Sequence, residues 1–123
     1  MSTKIAIIED DQAIAQMYRI KFEAENYEVE TAENGKLGYE LVKEMRPDMI
    51  LLDLMMPEMN GDECLKKIRN EDWGKDIKVI ILTNMGEQEA PKIIKELNVI
   101  AFIVKANMTP RQVAELVDKK LGK

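Results

Sequence analysis

Five short apolar runs alternate with segments of helical periodicity along the whole chain. The runs span 4–8, 27–32, 49–53, 77–82 and 99–104, and each is rich in the β-branched or aliphatic residues that are typical of strands. All but the second are nearly continuously apolar, which predicts strands covered by helices on both faces, whereas the second alternates and is expected at an edge. The pattern therefore predicts an α/β protein with a parallel sheet and right-handed crossovers.

A segment with helical spacing of apolar residues follows every predicted strand. The apolar positions are Ile14, Met17, Tyr18 and Phe22; Leu37, Leu41 and Met45; Leu65 and Ile68; Ile93, Ile94 and Leu97; and Val113, Val117 and Leu121. Pro47 is expected to end the second segment, and Asn98 to adopt a left-handed conformation after the fourth. Thr109 and Gln112 are expected to cap the fifth segment. Pro91 falls within the fourth, so a regular helix is expected to begin there only near residue 91.

The length of 123 residues suits a single domain spanning residues 1–123, because a chain of this size buries roughly two-thirds of its unfolded surface around one core. The chain ends just after the fifth helical segment. We therefore expect a stand-alone domain, although a fragment of a longer protein would look the same.

Charge and residue content disfavour several function classes. The net charge of −5 argues against nucleic-acid binding, which needs clustered lysine and arginine. Acidic residues come too early for a signal peptide, and no apolar run approaches the roughly 20 residues of a membrane span, so we expect a cytoplasmic protein without membrane contact. The lack of histidine removes the usual general base and leaves oxygen ligands, which favour Mg²⁺ or Ca²⁺. Cys64, the single cysteine, is expected to be buried and inert.

Polar residues lie at or just after the carboxyl ends of four predicted strands. They are Glu9, Asp10 and Asp11 after the first, Asp53 closing the third, Thr83 after the fourth and Lys105 after the fifth. In an open parallel sheet these strand ends lie at one edge, where ligands bind. Alone, each has an ordinary explanation, and Asp11 is expected to be the cap of the first helix. Together they predict a ligand-binding site at this edge of the sheet.

Carboxylates of Glu9, Asp10 and Asp53 that converge at this edge would need compensation. At a separation of about 4 Å two carboxylates repel by about 4 kcal/mol at an effective dielectric constant near 20. Proton uptake, the Lys105 ammonium or a divalent cation would offset the repulsion, and because one ammonium leaves an excess of negative charge, Mg²⁺ fits best. Asp53 is then predicted to be a nucleophile toward phosphorus, with Thr83 and Lys105 as donors to the phosphoryl oxygens.

A turn, PEMNG, follows the predicted nucleophile. Pro57 is expected to stiffen this turn, and Gly61 to allow unusual dihedral angles.

The sequence resembles the receiver domains of two-component response regulators. The resemblance covers the whole chain and rests on the spaced segments IIEDD, PDMILLDLMMPEMNG, VIILT and FIVK. It implies the flavodoxin-like doubly wound (βα)5 fold with strand order 2-1-3-4-5. It also implies a signalling module that is not a turnover enzyme and that takes a phosphoryl group from a sensor histidine kinase or a histidine phosphotransfer protein. An unknown downstream protein would bind the surface of the fourth helix, fifth strand and fifth helix.

The resemblance also implies roles for individual residues. The implied magnesium ligands are Glu9, acting through water, Asp10, Asp53 and the backbone carbonyl of Met55. Asp53 would carry the phosphoryl group, and Thr83 and Lys105 would contact its oxygens. Phe102 matches the switch aromatic of the family, and a plain core residue of the fifth strand is the alternative for it.

Three positions depart from the family pattern. Ala106 stands where a cis proline usually follows the lysine, Asn84 replaces the small residue after the switch hydroxyl, and Pro91 falls in the fourth helix. In addition, Met55 and Met85, each two residues beyond a reactive position, cannot orient water strongly. They predict slow self-dephosphorylation, unless they only fill gaps.

Two other interpretations remain. A small Mg²⁺-dependent phosphatase or phosphotransferase is disfavoured, because Met55 stands where a second carboxylate would act as acid and base. A nucleotide-binding or degenerate receiver-like scaffold is disfavoured as well, because EDDQAI is no glycine-rich loop and all reactive positions are filled.

Overall fold

The computed structural model describes residues 2–86 and 88–123, which contain five strands and four α-helices; a helix follows each strand, and the one between the last two strands is a 3₁₀ helix. The strands are β1 (Lys4–Ile8), β2 (Glu28–Ala32), β3 (Met49–Leu52), β4 (Lys78–Thr83) and β5 (Ala101–Val104). The α-helices are α1 (Gln12–Glu23), α2 (Gly35–Met45), α3 (Gly61–Arg69) and α4 (Pro110–Lys120). Short 3₁₀ helices span Asp72–Gly74, Lys92–Glu96 and Lys105–Asn107.

All five strands are parallel and lie in the order β2-β1-β3-β4-β5, so the predicted fold and strand order are confirmed. In this register Ile8 is opposite Ala32 on one side and Leu52 on the other. The carboxyl ends of the three strands therefore lie side by side, and the residues that follow them meet at one edge.

Two hydrophobic cores fill the space between the sheet and its helices. Helices α1 and α4 cover one face, where the core includes Phe22, Leu51 and Val117. Helices α2 and α3 cover the other, where the core includes Leu52 and Cys64. Cys64 is fully buried, as expected. None of the helices in the described ranges is long and apolar enough to cross a membrane.

The helix caps and the left-handed residue that the sequence predicted are present in the structure. The Asp11 side chain caps α1 by accepting a hydrogen bond from the Ile14 amide at 3.1 Å. Thr109 and Gln112 form a capping box at the start of α4. Asn98 adopts the predicted left-handed conformation, with φ 57°.

The fourth predicted helix and the fifth strand differ from expectation. Residues 92–96 form a single short 3₁₀ helix, because Pro91 has an extended backbone (φ −55°, ψ 136°) and no amide hydrogen to extend the helix backward. Strand β5 is the second edge of the sheet and packs against both cores, Ile103 on one face and Phe102 on the other, but within the strand only Ile103 is buried, so its coverage is less complete than expected. A short 3₁₀ helix covers less of a strand than a full α-helix does.

Candidate functional site

The backbone of the strand ends positions the two buried acids. The Glu9 amide donates to the Ala32 carbonyl at 2.9 Å, and the Asp53 amide donates to the Ile8 carbonyl at 3.0 Å. These hydrogen bonds continue the sheet by one residue beyond β1 and β3. Glu9 and Asp53 are therefore fixed side by side at the carboxyl edge, where they are only 4% and 6% exposed.

Three carboxylates and one ammonium meet at this edge. Glu9, Asp10 and Asp53 each offer an oxygen within 4.8 Å of the others, and Asp10 is exposed to solvent. Lys105, in the 3₁₀ turn after β5, pairs with Glu9, and its Nζ lies 3.2 Å from Oδ2 of Asp53. The structure thus brings together four of the residues that the sequence predicted for the site.

Burial and pairing shift the pKa values of Glu9 and Lys105. Loss of solvation raises the pKa of Glu9 to about 7; the Lys105 hydrogen bond opposes this rise, and the neighbouring Asp53 reinforces it. Burial lowers the pKa of Lys105, but its pairing with Glu9 and Asp53 outweighs burial, so the net shift is upward and the ammonium stays charged.

The donor set of the cluster fits a hard divalent cation. Three carboxylates face one ammonium, so negative charge remains in excess when all three are ionised. Oxygen ligands at this spacing suit Mg²⁺, which binds through one or two carboxylates and keeps room for water and phosphate oxygens.

The loop after β3 is shaped by close packing at Gly61. A Cβ atom at this position would lie 2.1 Å from the Asp53 carbonyl oxygen, and the Gly61 amide donates to the Leu54 carbonyl at 2.9 Å. Gly61 does not have a positive φ, so the expectation of unusual dihedral angles is wrong. The left-handed residue of this turn is Glu58, with φ 71°. A glycine is needed at position 61 because the backbone of Asp53 lies too close for a side chain.

Thr83 is the last residue of β4 and is buried, whereas the sequence predicted it just after the strand. Its hydroxyl oxygen accepts a hydrogen bond from the Met85 amide at 3.3 Å, which leaves the hydroxyl hydrogen free to donate elsewhere. In the same way the Met55 amide donates to Oδ1 of Asp53 at 3.2 Å, while the Met55 side chain is 60% exposed.

Two backbone-bonding features were not predicted from the sequence, and one of them lies at the site. Away from the site, the guanidinium of Arg69 donates to several backbone carbonyls in the segments that precede β4 and β5, those of Gly74, Lys75, Ile77, Leu97 and Asn98. The Met59 carbonyl accepts from the Gly35 amide at 3.0 Å and so joins the loop after Asp53 to the start of α2. A basic residue in the last turn of a helix was the only sequence signal for Arg69.

Two of the positions that depart from the family pattern, Ala106 and Asn84, lie in loops after β5 and β4. Lys105–Asn107 forms a 3₁₀ turn, and the described residues contain no cis peptide bond, so Lys105–Ala106 is trans. Asn84 is exposed next to Thr83. Phe102 is half-buried against the core of α2 and α3.

Fold and site together define a flavodoxin-like α/β protein with an acidic site at the carboxyl edge of its sheet. The sequence model described as "Response regulator receiver domain" matches residues 5–118. The chain therefore belongs to the family of response regulator receiver domains, which are signalling modules of two-component systems.

Longer regulatory proteins contain a segment that is similar to this chain. The chain is 36% identical over 113 residues to the transcriptional regulatory protein SrrA of Staphylococcus aureus (strain NCTC 8325 / PS 47), covering 92% of this chain and 45% of SrrA. It is 37% identical over 84 residues to the DNA-binding dual master transcriptional regulator RpaA of Synechocystis sp., covering 68% of this chain and 35% of RpaA. The chain thus spans less than half the length of these relatives.

Solved structures share the fold over nearly the whole chain. A CheY-like receiver domain protein from Methanospirillum hungatei JF-1 superposes with a TM-score of 0.90 at 28% identity, covering 99% of this chain and 95% of that one. The response regulator TrrA from Thermotoga maritima, described in complex with Mg(2+)-BeF, has a TM-score of 0.81 at 26% identity, covering 95% and 97%.

Proposed function

We propose that Asp53 is the phosphoacceptor of this receiver domain and takes its phosphoryl group from a histidine of a sensor kinase or phosphotransfer protein. The observation that carries the proposal is the buried Asp53 carboxylate, which belongs to the acid cluster and pairs with the Lys105 ammonium. Residues 1–123 contain no histidine, so a histidine donor would lie outside this domain.

Magnesium is the proposed cofactor, held by Glu9, Asp10, Asp53 and the Met55 backbone carbonyl. The excess negative charge of the three carboxylates and their oxygen donors support this assignment. The description of the Thermotoga relative as a complex with Mg(2+)-BeF supports it as well. When bound, the ion would neutralise the charge of the acids and of the incoming phosphoryl group.

The residues of the site have complementary roles in this proposal. A carboxylate oxygen of Asp53 forms a bond to phosphorus, while the bond from phosphorus to the donor's imidazole nitrogen breaks and its electron pair returns to that nitrogen. Lys105, already paired with Asp53, would neutralise charge on the phosphoryl oxygens. The Thr83 hydroxyl, which accepts from the Met85 amide and does not use its hydrogen in that bond, would donate to one of them.

The proposed output is a changed surface. An acyl phosphate adds up to about −2 of charge at Asp53, which would draw in the Thr83 hydroxyl. The 3₁₀ helix Lys92–Glu96, strand β5 and helix α4 would shift with it and bind a downstream protein. Phe102 supports this view, because it lines a cavity of about 320 Å³ between β5 and the 3₁₀ helix, together with Pro91, Ile94 and Val99.

The proposal also covers the extent of the domain, its lack of catalytic turnover, nucleic-acid binding and cellular location. Residues 1–123 would form the receiver domain, which modifies itself and does not turn over an external substrate. The net charge of −5 supports a receiver that does not itself bind nucleic acid, whatever a longer protein carries. The cytoplasm is the proposed location, because a single cysteine allows no disulfide within the chain.

Incubation with Mg²⁺ and a small acyl phosphate, followed by intact-mass measurement, tests this function. The parent protein is expected to gain the mass of one phosphoryl group, and Asp53→Asn is expected to gain none. Asp76→Asn removes an exposed carboxylate outside the acid cluster and is the matched control, which should be phosphorylated like the parent. A gain of equal size in Asp53→Asn would refute the proposal.

A further inference from the structure

An open groove, here called the edge groove, lies along β2 at the opposite edge of the sheet from β5. It has a volume of about 460 Å³, and its walls come from the first residue of α1, the end of β2 and one face of α2. Leu37 and Leu41 provide apolar surface, and Glu33, Glu40 and Glu44 provide carboxylates. None of these residues belongs to the acid cluster around Asp53.

The apolar part of the edge groove belongs to one continuous helix face. Leu37, Glu40, Leu41 and Glu44 are spaced i, i+3, i+4 and i+7, so their side chains lie on the same side of α2. Leu37 is 47% exposed although it is a large apolar residue in a regular helix. Strand β2 pairs only with β1, so the wall of the groove is a free sheet edge.

The charge of the edge groove has one sign. Three glutamates and no lysine or arginine line it. Within the described part of the chain, Glu33, Glu40 and Glu44 take part in no ion pair. A ligand for this surface therefore needs apolar groups for the leucines and positive charge for the surrounding carboxylates.

We propose that the edge groove docks a basic amphipathic helix of a partner protein. Apolar residues of such a helix would cover Leu37 and Leu41, and its lysines or arginines would face Glu33, Glu40 and Glu44. An acidic helix would bring like charges together and is excluded by the same argument. The docked helix would lie next to the carboxyl edge, because Ala32 lines the groove and its carbonyl holds the Glu9 amide at 2.9 Å.

The probe is a designed peptide of about 15 residues, close to the length at which isolated helices become stable in water. Leucine is placed on one face and lysine beside it, and a peptide of the same composition in scrambled order is the control. Binding is followed on the isotope-labelled, unphosphorylated protein by NMR, which locates the contact as well as its affinity. Shifts are expected at Leu37, Leu41 and Thr31, and the dissociation constant is expected to rise with salt.

Groove variants have matched controls elsewhere on the surface. Leu37→Ser is expected to weaken binding about fivefold, because about half of a leucine side chain loses its burial in the complex. Ile20→Ser changes a residue that is 67% exposed and outside the groove lining, and should have no effect. Glu40→Lys with Glu44→Lys should weaken binding by about tenfold or more, whereas Glu28→Lys with Glu96→Lys, which gives the same net charge, should weaken it far less.

The outcomes decide the proposal independently of phosphorylation. Binding that depends on sequence order, on Leu37 and on the paired glutamates supports it. Equal binding of the scrambled peptide, equal loss in the control variants, shifts elsewhere on the molecule, or no binding at millimolar peptide each overturn it. None of these results bears on whether Asp53 accepts phosphate.

Discussion

At the scale of single residues, burial and pairing decide what each side chain of the site can do. Lys105 contacts both Glu9 and Asp53, so it offsets carboxylate repulsion directly. Asp53 and Thr83 each accept a hydrogen bond from the backbone amide two residues later, those of Met55 and Met85. The contacts of Met55 and Met85 with the reactive groups are therefore made by the backbone, and the thioether side chains add no hydrogen bond that could orient water strongly.

Polar substitutions at these methionines should accelerate loss of the phosphoryl group. Met55→Asn and Met85→Asn each introduce a side chain that can orient an attacking water, so hydrolysis should become about tenfold faster or more. Decay is measured by intact mass after removal of the donor, with Met17→Asn, an exposed change on α1, as control. A parent that hydrolyses rapidly, at a rate that neither substitution changes, would contradict the role assigned to the methionines.

Stability above about pH 9 should depend on Cys64. Burial raises the pKa of its thiol from 9.0 to about 12, an effect that Lys67 partly opposes. The unfolded chain therefore loses the thiol proton first, and the thiol's contribution to stability, complete below about pH 9, declines as pH rises toward 12. Denaturant unfolding at about pH 8 and 10 should show a steeper loss in the parent than in Cys64→Ala, by about 1 kcal/mol. Equal pH dependence would show that the folded thiol is not shifted.

At the scale of elements, the loop from Asp53 to α3 is held by contact with its neighbours. Its Gly61 packs on the Asp53 carbonyl, and its Met59 carbonyl holds the Gly35 amide of α2. The sequence marked a turn here through PEMNG, but it could not distinguish a glycine needed for a positive φ from one needed for close packing. That distinction depends on which backbone atoms the fold brings nearby.

Gly61→Ala should destabilise the protein and impair phosphorylation. The added methyl group would lie 2.1 Å from the Asp53 carbonyl oxygen, so the loop must move, at a cost of about 1–3 kcal/mol in the free energy of unfolding. Gly86→Ala is the control, because a methyl group there meets its nearest atom only at 3.9 Å. Chemical denaturation and the rate of phosphorylation are the measurements. A Gly61→Ala protein as stable and as reactive as the control would show that the contact is unimportant.

At the scale of the whole molecule, periodicity predicted the alternation of strands and helices, and the parallel sheet followed from that alternation. The same logic placed Glu9, Asp53, Thr83 and Lys105 at one edge, because parallel strands end together. Strand β5 and the 3₁₀ helix Lys92–Glu96 were less predictable, because coverage of a strand depends on how far a helix extends. The pairing of Lys105 with Glu9 and the edge groove arise only from tertiary packing.

The central claim, that Asp53 alone captures phosphorus, is tested most directly by locating the modified residue. The protein is phosphorylated with Mg²⁺ and a small acyl phosphate and is then treated with borohydride, which reduces an acyl phosphate to an alcohol. Peptide mass spectrometry should find the reduced residue at position 53 and at no other carboxylate. Reduction at another aspartate or glutamate, with an unmodified Asp53, would contradict the account.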